Sequence, residues 1–275
     1  MAALTLLAMG IWAIGGNVQS TTSLKCLQFL QTIGTFLLPP IFCAWIWDAD
    51  HKPLRWLHLD QGANWQTFLL AIAIMICAIP GINLLADLNS RVVLPESLAH
   101  LEQIFKQQEE AAAELTKRFL EADNIGTLLI NIGLMALLPA LAEELSFRGT
   151  LQQVLSPNPL TTNPLTPHIA IWITAFIFSA IHMQFYGFIP RMLMGAMFGY
   201  IFVWTGSLWV PVVMHFTNNG IAVLAYYFLG ENSSADTLGA GTTWWLGCIS
   251  LIVVGVLLWI TSRGQQARDR RTHIQ

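Results

Sequence analysis

Long apolar runs broken by short polar segments make up most of the chain, and their lengths predict membrane-spanning helices. With a rise of ~1.5 Å per residue, roughly 17–25 apolar residues cross a hydrocarbon layer. Runs of that order cover Ala2–Val18, Leu24–Trp47, Trp65–Leu85, Asn124–Leu155, His168–Met183, Phe188–Thr205, Leu208–Leu229 and Trp244–Thr261. The expected fold is therefore all-α, a polytopic transmembrane bundle of about eight spans. Pro39 and Pro40 predict a kink or break near the end of the second run. The Pro- and Asn-rich segment Ser156–Pro167 separates the fourth run from the fifth. The first run has no basic region before it and no small-residue cleavage site, so a retained span is expected rather than a signal peptide.

One segment differs in kind. Between Pro95 and Asp123 the apolar residues Leu98, Leu101, Phe105, Ala112, Leu115 and Phe119 recur at the helical period among many charges. Pro95 followed by Glu96 suits a first turn. This pattern predicts an amphipathic helix lying on the membrane surface or capping the bundle. The expected organisation is one integrated bundle: N-terminal helices and the amphipathic helix over 1–123, a polar-centred core over 124–230, and a last span with a basic tail over 231–275.

Composition agrees with this pattern. Of 275 residues, 55% are hydrophobic and 11% charged, against about 25% charged in an ordinary soluble domain. Mean hydropathy is +0.56. A net charge of −3 excludes a nucleic-acid surface and leaves the lipid bilayer as the first partner. Arg263, Arg268, Arg270 and Arg271 place the C-terminus in the cytoplasm, and an even number of spans then places the N-terminus there too. The expected location is a bacterial cytoplasmic membrane. Cys26, Cys43, Cys77 and Cys248 stand singly in apolar stretches and read as small buried residues. Trp45, Trp47, Trp56 and Trp65 read as interfacial anchors.

The candidate chemistry lies in LPALAEELSFRG, Leu138 to Gly149. A stretch without charge from Ile125 to Ala142 ends there on Glu143, Glu144 and Arg148. Even on the mildest scale each such charge costs ~2.5–3.5 kcal/mol at mid-membrane, so the three need partners and suggest a function. Glu144 and Arg148 stand one helical turn apart in the favourable order for an ion pair. Glu143 points elsewhere and has no partner nearby in sequence. Two further polar groups interrupt apolar runs: Phe178 with His182, and His215 with Asn219, beside Asn218. Counting from the face that carries Ser156–Pro167, Glu143 lies roughly 18 Å deep, His182 roughly 21 Å, and His215 with Asn219 at about 10–17 Å. All four reach mid-membrane and can converge.

Together they form a hydrolytic set. A carboxylate takes a proton from water, one histidine holds that water, and a second histidine with an asparagine stabilises an oxyanion. Glu143, His182 and His215 also make a zinc set by ligand type, and without HExxH the motif does not choose between the two. No serine has a triad around it. The glycines Gly195 and Gly199 read as a close helix contact, and Phe178 as packing. A non-catalytic scaffold or transporter built on the same polar cluster is the alternative. A transporter of the repeat type, however, has paired interrupted helices that this chain lacks.

EExxxR at Glu143–Arg148, FxxxH at Phe178–His182 and HxxxN at His215–Asn219, in that order on three apolar runs, resemble the CPBP family of intramembrane proteases, which includes CAAX endopeptidases and bacteriocin-processing enzymes. The resemblance covers roughly Asn124–Leu229. It implies an endopeptidase acting on a peptide or protein substrate, membrane-anchored ones included. Glu143 would be the general base, His182 its partner on the water, and His215 with Asn219 the oxyanion donors. Glu144, Arg148 and Phe178 would support the site. The family is often described as metallopeptidase, so a divalent metal such as zinc is implied as an option alongside metal-free, glutamate-activated water.

Overall fold

The computed structural model describes residues 20–48, 50–156, 166–230 and 237–272, with backbone only at 166 and 265–272. The first expected span, much of the Pro-rich segment and the side chains of Arg268, Arg270 and Arg271 lie outside the described residues. The elements are α1 (Thr21–Trp47), α2 (Trp65–Ser90), α3 (Ala99–Leu120), α4 (Ile125–Leu155), α5 (Thr166–Ala180), α6 (Phe188–Thr205), α7 (Trp209–Leu229) and α8 (Trp244–Thr272). Among the described residues there are no strands. Among the described residues six helices are long and apolar enough to cross a membrane, and α5 is shorter. The protein is an integral membrane helix bundle. Apolar side chains that no helix covers, such as Phe228 and Ile252, face outward as lipid contact requires.

Local chemistry sets the helix ends. Asn64 and Asn124 accept hydrogen bonds from the backbone N–H of Thr67 and Thr127, capping α2 and α4. Gly206 ends α6 in the left-handed region, φ 66°, where a side chain would be strained. The helix expected to continue to Met183 stops at Ala180. Met183 itself adopts φ 55°, which turns the chain without glycine or proline and so leaves no sequence signal.

The expected break at Pro39-Pro40 does not occur. α1 runs through them because a π-helical turn, Thr32–Leu37, precedes the prolines and absorbs the register change. The carbonyl of Phe36, which Pro40 leaves without its i+4 donor, accepts instead from Ser146 Oγ of α4 (2.8 Å). The same device recurs in α4, where a π turn over Ile132–Leu137 precedes Pro139. In α2, Pro80 opens the helix and Ser250 of α8 enters the gap, accepting from the Gly81 N–H and donating to the Cys77 carbonyl. One sequence reading is corrected here. Cys26 faces outward rather than into the core. Trp56 is half-buried against Trp47 and the cluster of Ala44, Leu57, Leu145 and Phe202, because the turn Pro53–Trp56 folds back on the bundle.

The core that positions the site lies between α2, α6, α7 and α8, with Ile74, Met75, Phe198, Ile201, Met214 and Val254 buried together. α6 meets α4 and α5 through Gly195 and Gly199. A Cβ on Gly199 would lie 2.6 Å from Gln152 Oε1 and 2.9 Å from Ile171 Cγ2. Gly199→Ala should therefore destabilise the protein by the ~1–3 kcal/mol of an overpacked contact and so lower its thermal unfolding temperature. Gly133→Ala, where nothing lies within 4 Å, should not. Equal unfolding temperatures for the two variants in detergent would refute the close contact.

α3 roofs the bundle. Asn131 of α4 donates to the carbonyls of Leu120 and Glu121 at the end of α3, and accepts from Lys25 Nζ of α1 (2.6 Å). Toward the other end of α3, Phe105 stacks on Phe185 at 4.9 Å, and Asn89 of α2 holds the Phe185 carbonyl. α3 therefore packs against the bundle at both of its ends.

Candidate active site

The site grows from a second π turn in α4. Phe147–Gln152 is π-helical, immediately after the α-helical stretch that carries Glu143 and Glu144. Such turns are frequent at functional sites because they re-aim side chains within a helix. Arg148, fully buried, donates through Nη1 to Glu144 Oε1 (2.8 Å) and through Nη2 to the Gly195 carbonyl (2.7 Å). Its guanidinium lies 4.8 Å from the ring centre of Phe178 and 5.3 Å from that of Phe198. The cation is thus held by a carboxylate, a carbonyl and two aromatic faces, the partners a buried charge needs. One turn on, Gln152 repeats the contact by donating to the Gly199 carbonyl. The two glycines serve as acceptors for α4 as well as a place of close approach.

The ion pair foreseen for Glu144 and Arg148 is present, and Glu144 has a further partner. His215 Nδ1 of α7 donates to the same Oε1 at 2.8 Å. One fully buried carboxylate oxygen therefore receives both a guanidinium on its own helix and an imidazole from another. A carboxylate on Nδ1 fixes the ring orientation and tautomer, leaving Nε2 to act. His215 Nε2 lies 3.9 Å from Glu143 Oε2. That is beyond a direct hydrogen bond and suits groups that share a third atom. No local sequence signal could show this link, because it joins residues on two helices far apart in the chain.

Glu143 and Glu144 are adjacent in sequence but differ in surroundings. The Glu144 side chain is 0% exposed and committed, whereas Glu143 is 17% exposed. Glu143 opens on a cavity of about 580 Å³ between α1, α3, α4 and the turn after α5. His182 lines the same cavity. It lies beyond the end of α5, not within it as expected, yet its ring stays beside Phe178 at 5.2 Å. His182 Nδ1 is 2.8 Å from the Phe178 carbonyl. A carbonyl only accepts, so Nδ1 carries the proton and Nε2 keeps its lone pair. Phe178 does more than fill space: it touches both histidine rings and carries Arg148.

Asn219 stands one turn beyond His215 on α7, half-buried, its Oδ1 accepting from Asn218 Nδ2 (3.1 Å). It is not among the residues that line the cavity. The serines are structural: Ser146 is committed to Phe36, and Ser179 donates to the Phe188 carbonyl, tying α5 to α6. Among the described residues no three His, Cys, Asp or Glu side chains are grouped to hold a metal ion. The zinc set of Glu143, His182 and His215 is therefore not assembled in this arrangement. Sequence reading missed the polar wall that α1 gives the cavity (Gln28, Gln31 and Thr32) and Gln184 beyond α5.

Comparison with known proteins adds to this geometry. Residues 125–221 match the family model described as type II CAAX prenyl endopeptidase Rce1-like. A stretch of 86 residues is 34% identical to the uncharacterized protein YpbD of Bacillus subtilis (strain 168). The match covers 30% of this chain and 38% of that protein, so the chain spans well under half the length of the curated relative it matches. No solved structure matches the chain. Over residues 125–221, the stretch that contains Glu143, Arg148, His182, His215 and Asn219, the chain is thus similar to the Rce1-like type II CAAX prenyl endopeptidases.

Proposed function

We propose that this protein is an intramembrane endopeptidase that hydrolyses a peptide bond of a membrane-anchored substrate, with CAAX-type peptides the first class to test. One observation carries the reading. Glu143 is an open carboxylate on a cavity shared with His182, and 3.9 Å away is the Nε2 of a histidine whose other nitrogen is held by a buried carboxylate. A structural ion pair has no use for such a layout, whereas activation of water does.

In the proposed reaction a water molecule rests between Glu143 and the Nε2 lone pair of His182. Glu143 takes its proton as the oxygen attacks the carbonyl carbon of the substrate. The carbonyl oxygen becomes an oxyanion, stabilised by a proton on His215 Nε2, with the Asn219 amide, which stands outside the cavity lining, as the second donor that the family resemblance implies. For this, His215 enters the step with protons on both nitrogens, and Glu144 on Nδ1 supports that charge throughout. Collapse breaks the C–N bond, and Glu143 passes its proton to the leaving amine. The products are a carboxylic acid, which keeps the second water proton until it ionises, and an amine.

No step is routed through a metal, because the donors as placed do not fit a bound zinc. The test uses purified protein in lipid vesicles with a fluorescence-quenched peptide ending in a prenylated Cys-aliphatic-aliphatic-Ser sequence. Cleavage is expected at a single bond, and it should persist after treatment with a strong chelator. Absence of any cleavage would remove the peptidase reading. Stoichiometric zinc, lost and restored together with activity, would replace the metal-free mechanism.

A further inference from the structure

Besides Glu143 and His182, the cavity has an organised polar wall that the reaction does not use. Leu24, Leu27, Gln28 and Gln31 follow one another at three, four and seven along α1, so a single face of that helix lines the cavity, with Thr32 beside it. The outer part of this face is apolar and the part nearer Phe36 is polar. None of the Gln28, Gln31 and Thr32 side chains bonds to another described residue, and Gln28 Oε1 is shut off from solvent without a donor. Gln184 faces them from the turn after α5, fixed by a bond from Arg191 Nη2 (2.6 Å).

The physics of the setting says what such a wall is for. A peptide bond must be presented extended to be cleaved, and a segment unwound inside a bilayer exposes N–H and C=O groups that lipid cannot satisfy. Each such group costs free energy unless the protein supplies a partner. Glutamine amides supply a donor and an acceptor together, and a threonine hydroxyl does the same. An apolar side chain or a lipid tail needs none of these groups. We infer that Gln28, Gln31 and Thr32 form a docking wall for the extended main chain of the substrate next to the scissile bond. They are positioning residues, and this assignment rests on the peptidase reading above.

Gln28→Leu combined with Gln31→Leu, assayed in vesicles with the prenylated quenched peptide, should raise KM about ten-fold for each main-chain hydrogen bond lost, with a smaller change in kcat and an unchanged unfolding temperature. A matched peptide N-methylated at main-chain positions flanking the cleaved bond should show the same rise with wild-type protein and no further rise with the variant. A merely structural role for α1 would not produce that non-additivity. Cleavage by the wild type with an unchanged KM in the variant, or strictly additive losses, overturns the wall while leaving the peptidase reading in place. No cleavage by the wild type, with no binding of the peptide to Glu143→Gln protein, removes both.

Discussion

Glu143→Gln is expected to lower turnover of the prenylated peptide by about 10³-fold or more while the protein folds and binds as before, since a lost general base costs ~10²–10⁴. The amide keeps the shape of the carboxylate and loses only its capacity to take a proton. Folding should be indifferent, because Glu143 makes no short hydrogen bond to another described residue. Its ion-pair contact among the described residues is with His215 Nε2 at 3.9 Å, longer than a hydrogen bond. Removing a charge from a mostly enclosed position can even stabilise the bundle. The outcome separates the two adjacent glutamates: Glu144→Gln should reduce both activity and stability, because it weakens Arg148 and His215 together. Wild-type turnover by Glu143→Gln would dismiss the glutamate mechanism.

Arg148→Ala is expected to cost about 3–5 kcal/mol of stability, the usual result of removing one partner from a buried ion pair. That is a large share of the ~5–15 kcal/mol that holds a domain folded, so low expression should accompany it. Three losses combine: Glu144 keeps a buried charge with only His215 beside it, the Gly195 carbonyl loses its donor, and the space between Phe178 and Phe198 empties. A double variant, Glu144→Gln with Arg148→Met, removes both charges at similar volume. It should recover much of the stability and little of the activity, because His215 still lacks its carboxylate. Thermal unfolding in detergent, read beside the cleavage assay, decides it. An Arg148→Ala protein as stable as wild type would contradict the structural role.

The sequence by itself determined what depends on local pattern. Apolar runs marked the spans from α1 to α8, and the helical period from Leu98 to Phe119 marked α3. The cost of charge in lipid was enough to single out Glu143, Glu144 and Arg148, since it depends only on their place in an apolar run. The i,i+4 spacing of Glu144 and Arg148 sufficed to pair them, because that contact closes within one helical turn.

What crosses from one helix to another was decided only by the tertiary structure. Glu144 is shared with His215, Gly195 and Gly199 accept from Arg148 and Gln152, and Ser146 satisfies the carbonyl that Pro40 leaves open. Periodicity says which residues share a face. It does not say which faces meet, because that depends on crossing angles and on the summed packing of several helices. The same holds for the polar face of α1, which reads as an ordinary span until α3 and α4 enclose it with Glu143. Where local reading failed outright, at His182 beyond the end of α5, the reason is a left-handed Met183. Its φ of 55° is uncommon for a residue with a side chain and is not announced by its type.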